Sequence, residues 1–170
     1  MGLTHTHLLI FLLIVCASVF RDGVSATGVS SSSCTSTPRS PRRITVGGSA
    51  RWTFGFNYST WAFNRNPFYV NDTLDELKKT WIAVFNYEPP SEKNIHPHSV
   101  YLLPDLESFV NCNLTNGVKI ANETQGTGKG FRFVLKKWKP YYFSCGASDG
   151  YHCRFGGMKF FVLPLRRRNY

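Results

Sequence analysis

Short apolar and aromatic runs recur along this chain, separated by glycine, proline or polar breaks. Ile44-Thr45-Val46 predicts a first strand, broken by Gly47-Gly48. Trp52 to Tyr58 alternates loosely, and Tyr58 to Phe63, with Trp61, predicts a packing segment or short helix. Asn66-Pro67 marks a turn and Phe68-Tyr69-Val70 a short strand. Asp72 to Ile82 predicts a helix, because Leu74, Leu77, Trp81 and Ile82 share one face and acids precede bases. Further strands are expected at Val84 to Tyr87, Ser99 to Leu103, Phe131 to Leu135, Tyr141 to Cys145 and Lys159 to Leu163. Pro104-Asp105 turns the chain, Phe109 to Leu114 holds Cys112 in a short segment, and Lys119 to Lys129 reads as polar loop. Many short strands with regular turns predict an all-β sandwich or barrel.

The ends differ from this pattern. Leu8 to Val15 is almost wholly apolar and Val24-Ser25-Ala26 is small, so residues 1–26 read as a secretory signal peptide. The apolar run is short for the weaker alternative, a membrane anchor. Residues 27–43 read as a flexible Ser/Pro-rich linker carrying Cys34, residues 44–165 as the domain, and residues 166–170 as a basic tail. The basic end has neither a polar spacer nor an apolar tail, so no lipid anchor is expected. A chain of 170 residues, 42% hydrophobic, supports one core rather than two.

An oxidising destination changes what the cysteines mean. Cys16 leaves with the signal, and Cys34, Cys112, Cys145 and Cys153 remain. They can form two disulfides, or one disulfide beside a metal-bound thiolate with Cys34 left over. A net charge of +10 would point to nucleic acid in an intracellular protein. In a secreted one it favours an anionic wall component or a merely solvated surface. Asn57, Asn71, Asn113 and Asn122 each open an Asn-x-Ser/Thr acceptor, so surface glycosylation is expected.

The chemistry concentrates near the end of the domain. Cys145 closes an aromatic strand, and His152 and Met158 follow in a Gly-rich stretch bounded by the next strand. His98, just before the Ser99 strand, completes a His2Cys set with a soft axial sulfur, which suits a copper electron-transfer centre. His152 is expected nearer the surface than Cys145, its exposed edge the electron port. Two readings compete on spacing alone: Cys145 paired with Cys153, and Met158 as ordinary core. His96 rivals His98 but lies on the opposite face of an extended segment. No Ser/His/Asp or paired-carboxylate arrangement stands out, and a centre with four protein ligands leaves no open position for an oxidase-like enzyme.

These residues resemble the phytocyanins, the secreted blue copper proteins of plants. The resemblance runs from Ile44 to Leu163. It rests on Val46-Gly47-Gly48-Ser49 with Trp52, Asn57-Tyr58 with Trp61-Ala62, Phe68 to Leu74, His98-Ser99-Val100, Tyr142 to Cys145, His152-Cys153 and Gly157-Met158-Lys159. It implies a cupredoxin-like Greek-key β-sandwich of two sheets with one short inserted helix or loop. It implies copper held by His98, Cys145, His152 and Met158, and a Cys112–Cys153 disulfide. The implied role is non-enzymatic: a monomeric carrier of single electrons at the cell surface or wall, exchanging with a small-molecule or protein redox partner. The alternative is a copper-free or weakly copper-binding early nodulin-like glycoprotein with a structural or signalling role. The chain departs from the family pattern in an insertion at Asp75 to Ala83, in Asn71 where glycine is usual, and in a longer loop from Cys145 through His152 to Met158.

Overall fold

The computed structural model describes residues 42–70 and 81–166. The predicted signal peptide, Cys34, Asn71, most of the predicted helix and the last four residues lie outside the described residues.

Among the described residues, nine short strands form three sheets. Strands β1 (Arg42–Thr45), β3 (Trp81–Phe85) and β6 (Phe131–Val134) make one sheet, with β1 parallel and β6 antiparallel to β3. Strands β4 (Val100–Leu103), β5 (Val118–Ala121), β7 (Tyr141–Ser144) and β8 (Lys159–Val162) make an antiparallel sheet in the order β5-β4-β7-β8. β2 (Tyr69–Val70) and β9 (Leu165–Arg166) pair in parallel by themselves. Among the described residues the expected two sheets are therefore three, the third being this small pair. Pro67 and Pro164 flank the small pair and supply no N–H to extend a ladder. β1 opens at Arg42, within the stretch read as linker, and Arg166 belongs to β9 rather than to a tail.

Helix is also more extensive than one insertion. Helix α1 spans Tyr58–Arg65 and starts where the Asn57 side chain accepts the Thr60 N–H at 2.9 Å. Helix α2 spans Leu106–Asn111, where Asp105 accepts the Ser108 N–H at 2.7 Å. The turn α3, Tyr151–Arg154, follows Gly150, whose φ of 80° suits glycine. Trp81, Ile82 and Ala83 are not helical. Trp81 pairs with β1, and Ile82 and Ala83 with both β1 and β6, because a run of apolar and β-branched residues between two sheet neighbours gains more as strand.

The core is aromatic and follows from the two-residue period of β7. Phe143 points inward and lies 5.3 Å from Phe85, 5.3 Å from Phe133 and 5.1 Å from Phe160, centroid to centroid. Tyr142 points the other way and packs at 5.5 Å on Phe109 of α2. Trp52 joins the core from the loop before α1, 5.3 Å from Phe85, with its indole N–H donating to the Ser99 carbonyl at 3.0 Å. Three strand ends meet at one edge of this core: the start of β4, the end of β7 and the start of β8.

Candidate metal centre

The sheet register carries directly into the site. β7 and β8 pair through Ser144↔Lys159, and one step further the Cys145 N–H donates to the Met158 carbonyl at 2.9 Å. On the other side of β7, Tyr101 pairs with Ser144, and the Gly146 N–H donates to Ser99 Oγ at 3.2 Å. His98 is the next residue back along that segment. His152 arrives from α3, held because the Met158 N–H donates to its carbonyl at 3.0 Å. A disulfide joins Cys112 to Cys153, next to His152, while Cys145 is a free, buried thiol.

These constraints bring three donor atoms together. His98 Nδ1 and His152 Nδ1 lie 3.0 Å apart, and Cys145 Sγ is 4.0 Å from the first and 3.8 Å from the second. Among the described residues, His98, Cys145 and His152 are the group of donors whose geometry can hold a metal ion. A point equidistant from the three atoms lies about 2.1 Å from each, within the roughly 2.0–2.3 Å that nitrogen and thiolate ligands take around a transition metal. The donor set, two imidazoles and one thiol, is the soft and borderline mixture that copper favours. The residues present fit the ion.

Electrostatics prepare the same atoms. Burial holds the His98 imidazole neutral, its pKa lowered to about 4, and the neighbouring His152 adds to the effect. His152 is lowered by burial and then by His96. Burial pushes the Cys145 thiol up, partly offset by hydrogen bonds from Ser99 and Ala147. Neutral imidazoles with free lone pairs are what a metal needs, and those hydrogen bonds are what a thiolate needs.

His152 is not the exposed histidine. It is only 5% exposed, with Phe54 packed edge-on at 5.2 Å and His98 at 4.9 Å. His98 is half-buried and lines an open cleft. The expected port is corrected, because Phe54 from the loop before α1 covers the ring of His152. That cover was not legible from spacing. His96 is exposed, its ring 6.4 Å from that of His152, and it stands outside the triangle. Met158 is fully buried in the core with its backbone bound to both Cys145 and His152. Asn57, Asn113 and Asn122 are exposed.

No family model matches the chain, and no curated protein does. Among solved structures the chain is similar to cucumber stellacyanin in a Cu2+ form at pH 7.0, with a TM-score of 0.53 and 22% identity over 75% of this chain and 99% of that one. It is also similar to spinach plantacyanin, with a TM-score of 0.42 and 17% identity over 68% of this chain and 94% of that one. The first likeness is one of fold.

Proposed function

We propose that this protein is a mononuclear blue copper protein, cupredoxin-like in fold, that passes single electrons at the plant cell surface or wall. The triangle formed by His98, Cys145 and His152 carries the reading. Copper would supply a one-electron couple between its two oxidation states. His98 and His152 would hold it through Nδ1 and Cys145 through Sγ, with the Met158 sulfur as the proposed fourth ligand. The strand ends keep those ligands in place, so little has to move when the charge changes. The aromatic core excludes water. The protein acts as a carrier rather than an enzyme, and it is secreted, monomeric and glycosylated at Asn57, Asn71, Asn113 and Asn122. The exposed Lys136, Lys137 and Lys139 suit an anionic wall component. Replacing Cys145 with serine tests the assignment: the thiolate-to-copper absorption should vanish, and its survival would overturn it.

One observation favours a second reading. At 3.0 Å the two Nδ1 atoms can also satisfy each other, one N–H donating to the other lone pair. A copper-free glycoprotein would then keep the same fold. Such a protein would bind Cu(II) without a stoichiometric, thiolate-coloured endpoint.

A further inference from the structure

Beside His98 the surface opens into a cleft of about 660 Å³, within the size range of small-molecule sites. His98 turns Nδ1 inward to Cys145 and His152 and also lines this cleft. His152 is buried, with Phe54 packed edge-on against it, whereas the cleft gives a solute direct access to His98.

The chemistry of its walls is specific. Arg51 and Lys93 supply two cations against one carboxylate, Glu88. Arg51 and Glu88 pair at 3.3 Å with both side chains well exposed, at 61% and 74%. Lys93 makes no hydrogen bond or ion pair among the described residues. Thr53 and Asn86 add polar groups to the same wall. Asn94 is spent on the loop itself, donating to the Glu88 and Pro89 carbonyls at 3.1 Å and 3.0 Å, and so keeps Lys93 beside the opening. A net positive, hydrogen-bonding hollow against an imidazole suits a small anion rich in oxygen.

We propose that this cleft binds a small, oxygen-rich organic anion, an enediol or a hydroxylated carboxylate, as the electron donor to the centre. The proposal rests on the electron-transfer reading above. The donor would give up one hydroxyl proton to solvent and one electron by way of His98, toward the one-electron couple that copper held by His98, Cys145 and His152 would supply, leaving a donor radical.

The test uses the mature chain first without metal, so that it reads the cleft whether or not copper binds. Anaerobic ascorbate is titrated in while amide chemical shifts are followed, with hydroquinone as an uncharged comparison. Saturating shifts are expected at Thr53, Asn86, Asn94 and His98 with ascorbate and not with hydroquinone. Lys93→Glu should weaken binding roughly 3- to 10-fold, as expected for reversing one exposed charge, and Glu88→Gln should tighten it about 2-fold. Lys137→Gln, outside the cleft, should change nothing. With the copper-loaded protein, half-saturating ascorbate for reduction should move in the same order. Absent or diffuse shifts, equal response to hydroquinone, or indifference to Lys93→Glu would each overturn the proposal. A saturating cleft in a chain that takes no copper would overturn only the electron-transfer reading and the donor role that rests on it.

Discussion

The Cys145 amide bonds to the Met158 carbonyl, so thiol and thioether residues stand opposite each other as the next rung of the β7–β8 ladder. Their separation in space is set by sheet register, not by the length of the loop between them. The residues of that loop form α3 and its turns, where Gly150 N–H donates to the Gly146 carbonyl at 3.4 Å and Tyr151 N–H to the Ser148 carbonyl at 3.0 Å. Under the proposed ligand set, Met158→Leu should keep the fold within about 1.5 kcal/mol, as volume-conserving core exchanges do. It should still shift the copper absorption and the potential. Met158→Ala should cost about 2–5 kcal/mol through the cavity it leaves. Denaturant melts and spectra of the two variants separate packing from ligation.

The neutral histidines give a proton count. At pH 7 both imidazoles are already deprotonated at Nδ1 or can shift the tautomer without loss, whereas burial keeps the Cys145 thiol protonated. Copper binding should therefore release about one proton per ion, the thiol's. A weakly buffered titration with a pH indicator measures it, and about zero protons would argue against thiolate ligation.

Acid should act on the metal-free fold in a defined window. The folded pKa of His98 lies near 4, below its ordinary 6.5, so the unfolded chain binds more protons between these values. The contribution of the neutral ring is complete above about 6.5 and is lost as pH falls toward 4. Tm of the metal-free protein should fall across that interval, and His98→Gln should flatten the slope.

The Cys112–Cys153 disulfide closes a loop with a sequence separation of 41 and fixes the residue next to His152. Lys159 stands beside it, its ammonium donating to the Phe109 and Val110 carbonyls at 3.0 Å and 2.8 Å and lying 3.3 Å from Cys112 Sγ. Replacing both cysteines by serine should cost about 4 kcal/mol on chain-entropy grounds. It should also weaken metal binding more than Lys159→Met does, because His152 loses its anchor. Thermal melts and copper affinity of both variants check this.

Much of the β framework could be read from hydropathy, because strands such as Tyr141–Ser144 and Phe131–Val134 are aromatic and bounded by turn residues. β5 could not, because Val118 and Lys119 face solvent and the segment takes its strand character from pairing with β4. α2 could not either: Pro104-Asp105 reads as a turn, and a six-residue helix gives too little periodicity to see. Trp81 and Ile82 fit a helical face in sequence and were claimed by the sheet instead. In the site, residue types pointed to His98, Cys145 and His152. Which histidine is open depended on Phe54, 44 positions from His98 and without any local signal.

The most direct test of the central claim is a Cu(II) titration of the disulfide-intact chain, followed by visible absorption and EPR together. The proposed centre predicts one copper per chain, intense absorption near roughly 600 nm and a narrowed hyperfine splitting, as a His2Cys thiolate site gives. Weak absorption with ordinary square-planar EPR, or no stoichiometric endpoint, would contradict it.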